Sequence, residues 1–201
     1  MNINFTKLNN VNFQKRLVAK CTVGEKENSK PVKIYELNKD TDAIWLHRAY
    51  FNTDWQGNYY LNDIIDEFEE TSRDNGDKYY IMEDEKGRAL SCAVLDTKRN
   101  KQYALDYIET APKLSQNNKI IRKIKFIGET MLAFMVKTAK NNKKDFKVKC
   151  VAPRPETEKF YFEQCGFRPI QRQSAILDYE NLDNLIEKNE RYKGFKIEII
   201  G

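Results

Sequence analysis

An α/β domain built on a mixed sheet is the fold class this sequence predicts, and three observations predict it. Short alternating strands cluster in the first half, helical and extended stretches alternate in the second, and the order reads strand, two helices, three strands, helix, strand, helix, strand. The length of 201 residues suits one domain, and 40% hydrophobic with 12% aromatic residues is enough for a substantial core. No apolar run approaches the roughly 18 residues needed to cross a bilayer.

Taken in chain order, residues 13–23 and 32–37 alternate in polarity and flank the polar run 24–31, which predicts a hairpin or two loosely joined strands. Residues 1–31 are read as an N-terminal extension, 32–178 as the main domain and 179–201 as a tail carrying a helix and a strand. Asp40-Thr41-Asp42 supplies a cap for a helix in which Ile44, Leu46, Tyr50 and Phe51 share a face. A second helix, over 60–73, groups Leu61, Ile64, Ile65 and Phe68 against a polar side of Asp and Glu. Strands over 79–83, 89–95 and 103–110, separated by turn residues, form a three-stranded antiparallel meander.

Pro112 ends the third of these strands, and a polar loop leads to Gly128. Met131, Leu132, Met135, Val136 and Ala139 then mark an amphipathic helix that stops at Asn141-Asn142. Residues 146–151 alternate as a strand, 155–164 form a short helix closed by Gly166, and 168–177 read as one further strand. A tail helix over 181–191 and a final strand over 195–200 complete the chain.

Charge is segmented. Residues 1–39 carry 8 basic and 3 acidic groups, residues 40–85 carry 3 and 13, and residues 113–149 carry 11 and 2, giving +5, −10 and +9 within a total of +5. The basic run would attract a polyanion, and the acidic one a cation. Four widely spaced cysteines and a single histidine, His47, give no metal-ligand spacing, so no metal is expected and the thiols read as reduced core residues. The start of the chain lacks the order of a signal peptide, and a cytoplasmic protein with no membrane partner is the expectation.

Two stretches in this order resemble the GNAT superfamily of acyl-CoA-dependent N-acyltransferases. One runs from Tyr107-Ile108-Glu109-Thr110-Ala111-Pro112 through a loop to Lys123-Ile124-Lys125-Phe126-Ile127-Gly128-Glu129-Thr130. The other is Lys159-Phe160-Tyr161-Phe162-Glu163-Gln164-Cys165-Gly166-Phe167, similar to the family's closing helix and its Gly-Phe. The likeness covers about residues 32–177 and implies a mostly antiparallel sheet, flanked by helices, that splays between its fourth and fifth core strands.

The resemblance further implies acetyl-CoA as co-substrate. The backbone of Ile124 to Glu129, with Lys123 ahead of it, would cradle the pyrophosphate, and Ile108, Glu109 and Thr110 would pair with the pantetheine arm. A helix N-terminus suits such an anion, because its first N–H groups have no intrahelical partner. Where the family has an earlier glycine, this chain has Phe126; where it has a general-acid tyrosine, this chain has Phe162, with Tyr161 beside it. Tyr161 is therefore the candidate acid, and Asp106 and Glu109 are the candidate bases. A regular strand would send those two carboxylates to opposite faces. The acidic helices imply a cationic acceptor: a polyamine, an amino sugar or a protein amine. Nucleic acid is not expected at the cleft, and a homodimer is left open. The alternatives are an acyltransferase toxin or regulator acting on a macromolecule, and a non-catalytic acyl-CoA binder.

Overall fold

The computed structural model describes residues 15–24, 29–38, 46, 55, 64–66, 68, 76–111, 126–148, 158–170, 174–183, 185–187 and 197–200. Its centre is a nine-stranded sheet comprising β1 (Arg16–Val23), β2 (Lys30–Leu37), β3 (Asp77–Asp84), β4 (Ala89–Asp96), β5 (Gln102–Thr110), β6 (Asp145–Val148), β7 (Arg168–Ile170), β8 (Ser174–Leu177) and β9 (Ile197–Ile199). The spatial order is β7-β8-β6-β5-β4-β3-β2-β1-β9. Every neighbouring pair is antiparallel except β5 with β6. The connection from β5 to β6 carries the helix α1 (Ile127–Asn141), as a parallel crossover requires.

The sheet buries both faces. On one, α1 sets Met131, Leu132, Phe134, Met135 and Val136 against Ile34, Tyr80, Met82, Ala93 and Leu105. On the other, Tyr79, Ile81, Cys92 and Val94 meet Leu46, Trp55, Ile64, Ile65 and Phe68. This two-sided burial explains why β4 is buried at all eight positions and carries small or apolar residues through most of its length. Trp55 is 1% exposed, and its indole N–H donates to the carbonyl of Ala89 at 3.0 Å.

One sequence expectation is revised. The stretch 168–177 is two strands: β7 and β8 pair antiparallel with each other, Arg168 opposite Ile176 and Ile170 opposite Ser174. The strand stretches on either side of residues 24–31 pair as expected, β1 with β2 along its length, and Ala19 and Val23 of β1 are fully buried. The tail joins the core: β9 pairs with β1, and Leu182, Leu185 and Ile197 pack in the α1-side core.

Candidate active site

The site is built along β5, beyond its described pairing with β6. Their pairing runs from Gln102 opposite Asp145 to Leu105 opposite Val148. Among the described residues, β5 continues to Thr110 with β4 as its only strand neighbour. Backbone direction along this half is set by two bonds toward β4: Ala111 N–H donates to Leu90 at 3.0 Å, and the Glu109 carbonyl accepts the Ser91 hydroxyl at 2.6 Å. Alternation along a strand turns the N–H and C=O groups of Ile108 and Thr110 to the opposite edge, into the gap.

The N-terminus of α1 reaches the same place. A side-chain carbon built on Gly128 would lie 3.5 Å from the Thr110 hydroxyl, so the first turn of the helix adjoins the end of β5. Phe126 precedes the helix with φ 68° and ψ 23°, in the left-handed region that favours glycine. Sequence shows a phenylalanine in place of the family's earlier glycine; the structure shows that the position keeps the glycine-type backbone. The carbonyl of Phe126 accepts both the Thr130 N–H at 2.9 Å and the Thr130 hydroxyl at 2.7 Å. The first turn of α1 carries Ile127, Gly128 and Glu129, whose N–H groups precede the first bond within the helix. Lys123, Ile124 and Lys125 lie outside the described residues.

Described lysines of the basic run are engaged away from this end. The Lys137 ammonium donates to the Ile197 carbonyl at 2.8 Å, Lys140 pairs with Asp183, and Lys144 bonds the carbonyl of Asn100. With a 1.5 Å rise per residue, Lys137 and Lys140 stand roughly 13–20 Å from the first turn of α1. These lysines fasten the helix to the tail and to the β4–β5 turn. Carboxylates of the acidic run are also engaged: Asp77 pairs with Lys98 at 3.2 Å, Asp84 with Arg88 at 2.8 Å, and Glu83 with Lys15.

The structure separates the two candidate bases. Asp106 falls at a register shift, since Val94 faces Tyr107 and Leu95 faces Leu105, so it is the extra residue of a bulge. Its carboxylate lies within 4.8 Å of those of Asp77 and Asp96, at mid-strand, four residues before Thr110. Lys98 ties that cluster together, its ammonium on Asp77 and its backbone N–H on Asp96 at 2.9 Å. Glu109 instead sits directly opposite Cys92, beside the gap.

Tyr161 lies in the segment Lys159–Gln164, which is wound with i→i+5 hydrogen bonds. Its ring is buried and packs edge-on against Phe167, centroids 5.4 Å apart. Burial pushes its hydroxyl well above the ordinary phenol range, with further upward contributions from Cys165 and Glu109. Glu109 therefore acts electrostatically on Tyr161, and it also raises Cys92, whose thiol is held protonated chiefly by burial and then by Glu83 and Glu109. Phe162 is half-buried against the α1-side core. Gly166, with φ 75°, ends the segment as the sequence predicts.

Comparison with known proteins identifies the class to which this architecture belongs. No family signature and no curated protein matches the chain. Solved structures do: AtaTR bound with acetyl-CoA matches 77% of this chain and 97% of its own, at 16% identity and a TM-score of 0.56. The KacTA–DNA complex covers 78% of this chain and 99% of its own, at 14% and 0.55. A chimera of the Vibrio cholerae spermidine N-acetyltransferase SpeG with hSSAT covers 76% and 98%, at 13% and 0.52. The fold is that of the GNAT acetyltransferases, as the two sequence motifs imply.

Proposed function

We propose that this chain is a GNAT N-acetyltransferase that moves an acetyl group from acetyl-CoA to a cationic amine by direct attack in a ternary complex. The observation that carries the reading is the end of β5, where Ile108 and Thr110 turn their backbone groups away from β4 and Thr110 adjoins the first turn of α1. An extended pantetheine arm would complete the strand pairing there, and its pyrophosphate would meet the N–H groups of Ile127, Gly128 and Glu129. Lys123, Ile124, Lys125 and Phe126 belong to the same proposed cradle.

In this reading Glu109 takes the proton that the attacking amine must lose, and backbone N–H groups of β5 polarise the thioester carbonyl. Tyr161, kept protonated by burial, is the donor to the departing thiolate. Asp106, drawn into the cluster with Asp77 and Asp96, is not assigned as the base. Acetyl-CoA incubated with a panel of amines while thiol release is followed tests the proposal. Release with a di- or polyamine supports it; tight coenzyme binding with no release from any amine would instead indicate a binding module.

A second reading has an observation of its own, because one similar structure is described as the AtaT toxin bound to its antitoxin, at 16% identity and a TM-score of 0.52. A macromolecular acceptor would then replace the small amine. Acetylation of a purified RNA or protein fraction, with none of any free amine, would favour it.

A further inference from the structure

We propose that Glu83 and Tyr35 form an ammonium-binding subsite on the acceptor side of the sheet, that the chain's own Lys15 fills it, and that a second ammonium of a diamine or polyamine takes it by displacing Lys15. The inference rests on the proposed function in one respect, the reading of the Glu109 face as the acceptor side.

Glu83 lies on an inner strand and is 5% exposed, an environment in which a carboxylate requires a charged or multiply hydrogen-bonded partner. That partner comes from 68 residues away: the Lys15 ammonium bonds Oε1 of Glu83 and also stands 4.4 Å from the centroid of the Tyr35 ring. A buried carboxylate beside an aromatic face is a general recognition site for a primary ammonium. Nothing in the contact depends on the rest of a lysine side chain.

Lys15 is placed to leave. It sits one residue ahead of β1, outside the ladder that begins with Arg16 opposite Glu36. It also lines an open cleft of about 610 Å³, together with Arg16, Glu36 and Asn38. Displacing its side chain breaks no strand pairing.

The subsite is also placed to serve the reaction. Glu83 and Glu109 both bear on the Cys92 thiol, and Glu109 is directly opposite Cys92 on the next strand. Two strand spacings and the three-residue offset from Ala89 to Cys92 along β4 put the backbones of Glu83 and Glu109 roughly 13–14 Å apart. A triamine of spermidine's length bridges that distance, one end nitrogen held at Glu83 and the other presented to Glu109. A monoamine would gain nothing from the subsite.

The test is calorimetric titration of spermidine at low salt into the full chain, the Lys15→Met variant and the Lys15→Met/Glu83→Gln double variant, with thermal melts showing that each is folded. Lys15→Met removes the tethered competitor and is expected to bind spermidine about tenfold more tightly. The double variant is expected to lose that gain. Equal or weaker binding by Lys15→Met, a gain that survives in the double variant, or no spermidine binding by either protein would overturn the proposal. Thiol release from acetyl-CoA measured alongside keeps the two readings apart. Transfer to spermidine with a KM unmoved by Lys15→Met sinks the subsite alone, whereas the expected binding pattern without any transfer sinks the enzyme reading alone.

Discussion

Replacing Gly128 by alanine should separate folding from coenzyme binding. The backbone at Gly128 lies outside the left-handed region, and among the described residues the new methyl would meet the Thr110 hydroxyl, at 3.5 Å, an ordinary contact. No described residue opposes the substitution, and removing a glycine from a helix stabilises by about 0.5–1 kcal/mol, largely through the unfolded chain. For a chain of this size the thermal midpoint should rise by about 1–4 °C. The same methyl occupies the space through which a pyrophosphate would approach the α1 N–H groups. Losing one charge-assisted hydrogen bond costs about 1.5–3 kcal/mol, or roughly ten- to a hundredfold in affinity for acetyl-CoA. Differential scanning fluorimetry reads the first effect and calorimetric titration the second. Acetyl-pantetheine, which lacks the pyrophosphate, should bind the variant and the parent alike. Unchanged acetyl-CoA affinity in a stable variant would refute the assignment of this turn to the pyrophosphate.

Glu109→Gln should lower kcat by about 10²–10⁴-fold with little effect on acetyl-CoA affinity, measured by thiol release under saturating amine; normal turnover would remove Glu109 from the mechanism. Tyr161→Phe should reduce kcat at every pH between about 6 and 9, because burial keeps the hydroxyl protonated throughout that range; an unaltered rate would leave the proton donor unassigned to Tyr161. Cys92, buried with its thiol pushed up, should resist a disulfide reagent until the protein unfolds, and fast native labelling would contradict its placement. The Asp84 carboxyl is raised by partial burial but lowered overall by bonds from the Arg88 N–H and side chain and the Lys86 N–H. A depressed folded value stabilises above the ordinary carboxylate pKa of about 3.9 and is lost as pH falls through the folded value. Asp84→Asn should therefore destabilise near pH 7 by about 0.5–1.5 kcal/mol and converge with the parent in strong acid, as followed by urea denaturation.

What could be read in advance follows from the range over which each signal acts. The β3–β4–β5 meander was legible because alternation and turn residues lie within about ten positions of one another, and β3, β4 and β5 match their predicted stretches to within two residues. The end of α1 was legible for the same reason. Residues 168–177 misled because alternation is the same whether a stretch runs straight or folds back on itself. The bulge at Asp106 left no mark in the composition of β5, yet it decides that Asp106 joins Asp77 and Asp96 while Glu109 stays at the gap. The pairing of β9 with β1 and of Lys15 with Glu83 joins residues far apart in sequence, and no local pattern encodes either. One practical consequence concerns truncation: removing residues 1–31 would delete a sheet strand with buried Ala19 and Val23, so a test of the leading segment must stop before Lys15.

Among the described residues, the two outermost strands, β7 and β9, span three residues each. Short borders give foreign chains little to zip onto, which protects a large sheet from open-ended growth into aggregates. They also leave few rungs for a partner copy to extend the sheet across a two-fold axis. Among the described residues, the longer stretch of strand without a neighbour on one side lies in the interior, along β5 beyond Leu105. If the proposed reading holds, an extended ligand that seeks strand-like pairing would be directed to the middle of the sheet and away from its margins.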